Sequence, residues 1–201
     1  MKRWGVFSVS VTAAAVTAGI VAGAWVARAQ GPPSAPGANP PQAVEFYGAG
    51  GGPIAGGVVV PAGRAYLWTS GTVPSPADPA ASAGSAERYG DTKTQAVSIL
   101  KKFEAQLKEK GLSLRDVVYL RAYVVPDPRK GGKPDFRGWF DAYGEYFANE
   151  RNPTRVARST VAVSGLVDPD WLIEIEAVAV YPAAAAVPGS SRPTGSAAPP
   201  R

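Results

Sequence analysis

The chain has 201 residues, 21 Lys and Arg against 16 Asp and Glu, and neither histidine nor cysteine. The missing residues exclude a Ser-His-Asp triad, a thiolate nucleophile, a disulfide and an ordinary zinc site, which leaves carboxylates, hydroxyls, backbone amides and water for any chemistry. The net charge of +5 suggests a nucleic-acid or membrane partner, but the way that charge is distributed argues against both.

Lys2 and Arg3 precede an apolar run from Trp4 to Val26 that ends in Ala27-Arg28-Ala29. This is the pattern of a secretory signal peptide over residues 1–29, cleaved near Ala29 to release an exported, periplasmic or secreted chain with no further membrane partner. The run is also long enough for an uncleaved anchor, although its Gly, Ser and Thr content and the small-x-small site favour cleavage. Residues 30–43 read as a Pro- and Gly-rich disordered linker, and residues 182–201 as an Ala-, Pro- and Ser-rich disordered tail. Without Lys2, Arg3 and Arg28 the balance is 18 basic to 16 acidic residues, and setting Arg192 and Arg201 aside leaves 16 of each in the segment 44–181. A neutral domain without a basic run is not expected to bind nucleic acid.

The segment 44–181 is sized for one domain. Val44–Tyr47, Gly57–Val60 and Arg64–Ser70 are expected strands, and the stretch from Val73 to Gly90 an expected long loop. Thr92 and Gln95 have capping-box spacing ahead of a helix whose stripe is Ala96, Leu100, Phe103 and Leu107, stopped by Gly111. Val117–Val125 is an expected buried strand interrupted by Arg121, and PDPRKGGKP a loop. Phe136, Trp139, Phe140, Tyr143 and Phe147 then recur at helical spacing, as expected of a helix packed on a sheet rather than of a cofactor box.

The last part, residues 155–179, reads as two strands joined by a turn, each carrying a charge. In the first, Ala157, Ser159, Val161 and Val163 alternate with Arg158, Thr160 and Ser164. In the second, Trp171, Ile173, Ile175, Ala177 and Ala179 alternate with Glu174 and Glu176. The expectation is that Arg158, Glu174 and Glu176 share the sheet face that the two helices leave uncovered, where a symmetric oligomer would close over them and form clefts between subunits. A guanidinium and a carboxylate there can hold and hydrate a small anion.

The succession of Ser70-Gly71-x-x-Pro74, GDTKTQA at Gly90–Ala96, GLSLRDVV at Gly111–Val118, ARSTVAV at Ala157–Val163 and IEIEAVAV at Ile173–Val180 resembles the Rid family of reactive-intermediate deaminases. The resemblance covers Pro53 to Val180. It implies an α+β domain of the chorismate-mutase-like kind, a mixed sheet with two helices on one face, assembled as a homotrimeric barrel with clefts between subunits. It also implies hydrolysis of 2-imino or 2-enamino acids to 2-keto acids and ammonia without metal or cofactor. Residue by residue, Arg158 matches the arginine that pairs with the substrate carboxylate, Glu174 the acid that orients or activates water, and Gly71 and Thr160 positions whose backbone lines the cleft. Ile54, after Gly52-Pro53, stands where the family has tyrosine, and Phe140 where active members often carry asparagine. These two replacements make the rest of the pocket wall more apolar and point to a larger or more hydrophobic ligand.

The reading is therefore an imine deaminase with Arg158 and Glu174 as catalytic pair and Gly71, Thr160, Ile54 and Phe140 as the other substrate-binding positions. The partners expected are a small carboxylate-bearing imine or keto acid and two further copies of the chain. The alternative is a non-catalytic trimer of the same fold that binds small carboxylates. A ribonuclease activity is disfavoured by the neutral domain and the missing histidine.

Overall fold

The computed structural model describes residues 41–48 and 50–183. The signal-peptide reading of residues 1–29, almost all of the linker and nearly all of the tail lie outside the described residues. In chain order the elements are β1 (Glu45–Tyr47), β2 (Gly57–Val59), β3 (Tyr66–Trp68), α1 (Ala86–Tyr89), α2 (Thr92–Glu109), β4 (Val117–Val124), β5 (Pro126–Asp127), β6 (Lys133–Pro134), α3 (Phe136–Tyr146), β7 (Ala157–Ala162) and β8 (Ile173–Val180), with two short 3-10 turns at Leu114–Asp116 and Pro128–Lys130.

Four of these strands make one mixed sheet in the order β3-β8-β4-β7. β8 runs antiparallel to both β3 and β4, whereas β7 runs parallel to β4. α2 and α3 pack on one face of it. Ala96, Ile99, Leu100, Phe103 and Leu107 form the buried stripe of α2, and Trp139, Ala142 and Tyr143 with Phe147 form that of α3. Both stripes meet Leu120, Ala122, Val124, Ile173, Ile175, Ala177 and Ala179, the alternate residues of β4 and β8 that point to the helices. Truncating a wholly buried ring such as Phe103 costs about 3–5 kcal/mol in cores of this kind, so this layer holds the domain together. Gly138 lets the helices approach each other. A Cβ there would lie 2.7 Å from Asp135 Oδ2 and 3.2 Å from the backbone nitrogen of Lys93, at the start of α2.

Three local expectations are corrected. The cap of α2 is Asp91, whose Oδ1 accepts from both the backbone nitrogen and the Oγ1 of Thr94 at 2.8 Å. A carboxylate one position ahead of Thr92 takes the cap, and Thr92 and Gln95 are buried inside the helix. Gln95 is instead a cross-brace. Its Nε2 donates to the Asp170 carbonyl at 3.0 Å and its Oε1 accepts from the Leu172 nitrogen at 2.7 Å, which fixes the approach to β8. The loop from Val73 to Gly90 contains the helical turn α1, and the PDPRKGGKP loop closes as the β5–β6 ladder. The wholly buried Asp127 carboxylate accepts from Arg129 N and Nε, at 2.9 and 3.0 Å, and Arg129 Nη2 donates to the Gly90 carbonyl at 2.9 Å. That pair ties the two loops together.

Burial alone would raise the Asp91 carboxyl, but the hydrogen bonds from Thr94, with Arg129 and Lys130 nearby, hold it below its ordinary range. A depressed carboxylate stabilises the fold above its unfolded pKa and loses that contribution as pH falls through the folded one. In urea denaturation Asp91→Ala is expected to cost about 1 kcal/mol at neutral pH, and the gap to the parent should close on acidification below the ordinary carboxylate range. A gap unchanged in acid would show that the charge on Asp91 is not what caps the helix.

Candidate active site

The register of the sheet decides where the two charges point. Cross-strand partners project to the same side. Arg158 stands opposite Leu120, and Thr160 opposite Ala122, so both share the helix-facing side. Glu174 stands opposite Tyr123 and Glu176 opposite Arg121, on the open side. The expectation that Arg158 and Glu174 share a face is therefore corrected: within one chain they lie on opposite faces, with β4 between their strands. β7 and β8 are not a hairpin, because β7 pairs parallel with β4 and the chain then crosses to the other edge of β4. Alternation holds within each strand, but it carries no information about which neighbour a strand adopts.

Arg158 sits on an edge strand beneath α3. Its guanidinium carbon is 4.4 Å from the ring centre of Tyr143, 4.6 Å from that of Phe140 and 5.4 Å from that of Trp139. Cation–π contacts of this sort contribute from about 0.5 to 2 kcal/mol each, more when water is excluded. Among the described residues Arg158 has no ion-pair partner, and its Nη1 is enclosed without a hydrogen-bond acceptor. Desolvation lowers its pKa and the nearby Tyr143 opposes this, yet a guanidinium titrates so high that the charge is retained. The result is a partly buried cation with rings for neighbours and, among the described residues, no anion, which leaves its hydrogen-bonding capacity for an acceptor such as a carboxylate.

The neighbours are themselves fixed. Trp139 Nε1 donates to Thr160 Oγ1 at 3.0 Å, and Tyr143 Oη donates to the Pro53 carbonyl at 3.1 Å. Burial raises the Tyr143 phenol above its usual pKa, so it remains a donor. Ile54 follows Pro53 and packs on the helix-side core, while the backbone of Ala55 bridges the start of β7 and donates to the Val156 carbonyl at 3.2 Å. Arg158, Thr160, Phe140 and Ile54 are thus gathered at one sheet edge. Trp139 and Tyr143 belong with them, although their sequence pattern marks them only as core. Their spacing from Phe140 carried the information, but only the register brings Arg158 under them.

Gly71 and Glu174 form the second group. Thr72 bridges Ile175, whereas Trp68 pairs with Val178, so the strand gains one residue between them and bulges. At this bulge Gly71 leaves the space that the Glu174 carboxylate occupies; a Cβ at residue 71 would overlap Oε1 of Glu174. Beyond it, the open face carries Tyr119, Arg121, Tyr123 and Glu176, with Trp68 74% exposed and Val161 43% exposed. Arg121 Nη1 lies 3.4 Å from Glu176 Oε2, and Tyr119 Oη donates to Ser159 Oγ at 2.8 Å. Among the described residues, only the end around Val118, Val178 and Val180 is covered, by Val44, Phe46, Val58 and Val60 on and beside the β1–β2 ribbon. A groove of about 800 Å³ along α2, between Ser75 and Lys101, contains none of these residues. Among the described residues no cluster of three acidic side chains is placed to hold a metal ion, and no helix is long and apolar enough to cross a membrane.

Two helices on one face of a four-stranded mixed sheet, with an arginine held under the second helix, define an α+β domain of the RidA-like fold. Residues 58–181 match the family described as Endoribonuclease L-PSP, and the chain belongs to that family, in which Rid and RutC proteins fall. It is 40% identical over 90 residues to RutC family proteins of Pyrococcus abyssi and Pyrococcus horikoshii, a match spanning 45% of this chain and 62% and 63% of theirs. The solved structure of a conserved Rid family protein of unknown function from Yersinia pestis is 26% identical, with a TM-score of 0.51 over 68% of this chain and 92% of that one.

The fit between Gly71 and Glu174 is open to test by a double-mutant cycle in urea. Gly71→Ala is expected to destabilise by about 1–3 kcal/mol, and most of that cost should vanish in a Glu174→Ala background. Additive losses would mean that residue 71 is constrained by something other than the carboxylate.

Proposed function

We propose that the protein is an exported deaminase that hydrolyses 2-imino or 2-enamino acids to 2-keto acids and ammonia, in sites formed between the subunits of a homotrimer. The observation that carries this reading is the Arg158 guanidinium, partly buried under three rings and, among the described residues, without an anionic partner. The family membership supports the reaction class, and the uncovered sheet face supports self-association. Because Arg158 and Glu174 lie on opposite faces of one chain, a site that uses both takes the arginine from one subunit and the acid from its neighbour.

In that site the substrate carboxylate lies against the guanidinium edge, where each charge-assisted hydrogen bond contributes about 1.5–3 kcal/mol. Glu174 accepts a proton from water as the water oxygen bonds to the C=N carbon. The carboxylic acid so formed returns that proton to the nitrogen to give a carbinolamine, and the hydroxyl proton follows the same path as the C–N bond breaks, so that ammonia departs and the oxygen becomes the keto oxygen; a 2-enamino acid enters as its imine tautomer. A positioned base of this kind contributes roughly 10²–10⁴-fold. A second reading is a carboxylate-binding protein without turnover, and the separation of Glu174 from Arg158 within the chain favours it.

The test is ammonia release from imino acids generated in place by an amino-acid oxidase. Arg158→Ala is expected to lower kcat/KM by about 100-fold or more, with Arg158→Lys a poor substitute because it lacks the planar fork. Glu174→Gln should act chiefly on kcat. No release from a broad panel by folded protein would remove the deaminase reading. If 2-keto acids then still raised the melting temperature in an Arg158-dependent way, the binding reading would stand in its place.

A further inference from the structure

The aromatic surroundings of Arg158 do not end with the buried rings. α3 presents Phe136 and Phe140 one turn apart, their rings stacked with centres 6.4 Å apart and planes 16° from parallel. Phe136 is 37% exposed and Phe140 43% exposed, and neither belongs to the buried core that takes Trp139, Tyr143 and Phe147 from the same helix. Phe140 therefore lies between the guanidinium, 4.6 Å from its ring centre, and the Phe136 ring. The rings form a continuous path: Trp139 and Tyr143 enclose the guanidinium from the helix side, and Phe140 and Phe136 carry an apolar surface outward from it.

A ligand whose carboxylate engages Arg158 has its next atoms beside Phe140. A side chain one or two carbons long ends there, and a flat apolar group continues along the Phe140–Phe136 pair, where offset stacking is favoured. A polar side chain would meet no hydrogen-bonding group from these two rings. Resting on the reaction proposed above, we infer that the substrates are 2-imino acids with aromatic side chains, and that the Phe136–Phe140 pair is the specificity-determining surface that receives the ring. The class of reaction that supplies such a substrate is the two-electron oxidation of an aromatic amino acid at its α-carbon, with a flavin or dioxygen taking the electrons.

The experiment compares kcat/KM for imines made by an amino-acid oxidase from phenylalanine and from alanine. The parent protein is expected to prefer the phenylalanine-derived imine by about tenfold or more, a pocket discrimination of ordinary size. That ratio should fall by about tenfold in Phe140→Ala and in Phe136→Ala, and Phe140→Tyr should keep it. A parent ratio near one, or variants that lower both rates alike and leave the ratio intact, would overturn the inference and leave the deaminase reading untouched. If no imine is turned over, calorimetric binding of phenylpyruvate against pyruvate still decides the matter. Tighter phenylpyruvate binding that depends on Phe140 supports the aromatic subsite without the reaction, and equal binding of the two refutes it.

Discussion

The parallel register of β7 on β4 is the constraint on which the rest depends. By setting Arg158 opposite Leu120, it turns a charged side chain toward the helices, where a cation must find compensation or destabilise the core. The compensation is aromatic. Trp139, Phe140 and Tyr143 stand within 5.4 Å of the guanidinium, and two of the three are locked by hydrogen bonds to Thr160 and Pro53. A shift of one residue in that register would send Arg158 to the open face and bring Ser159 under the rings, so the site and the packing of α3 stand or fall together.

Rings rather than a carboxylate around the arginine have a functional consequence. An internal Asp or Glu would neutralise Arg158 and compete with any ligand, whereas π-faces stabilise the charge and leave its hydrogen-bonding edge unsatisfied. The same helix that supplies this stabilisation extends it outward as an apolar surface. The cation of β7 and the apolar surface of α3 are thereby set side by side, and the Gly138 contact seats α3 on α2. Glu174 answers to a different constraint, the bulge that places side-chain-free Gly71 beside it.

Periodicity made most of the architecture legible. The stripes of α2 and α3 and the alternation in β4 and β8 lie where the residue pattern puts them, because burying one face is a local requirement written in the spacing. The pairing partner of β7 was not legible, since an edge strand with small residues on both faces does not state which side of which strand it joins. For the same reason Arg158 and Glu174 read as neighbours on one face, and the structure separates them. The cap at Asp91 and the brace at Gln95 are not legible, because the adjacent Asp91 and Thr92 both offer an acceptor at the helix start and the contacts that engage Gln95, to Asp170 and Leu172, are tertiary. Trp139 and Tyr143 are legible as core but not as rings around Arg158, an arrangement that exists only once β7 lies beneath them.

The proposal that Arg158 and Glu174 meet only across a subunit boundary is tested most directly by mixing two inactive variants, Arg158→Ala and Glu174→Ala, refolded together in equal amounts. Random assembly leaves about a quarter of the clefts with an intact arginine from one subunit and an intact glutamate from the next. The mixture should therefore recover about a quarter of the parent imine-hydrolysing activity, while each variant refolded alone stays inactive. Mixed oligomers that form yet recover no activity would contradict a shared site.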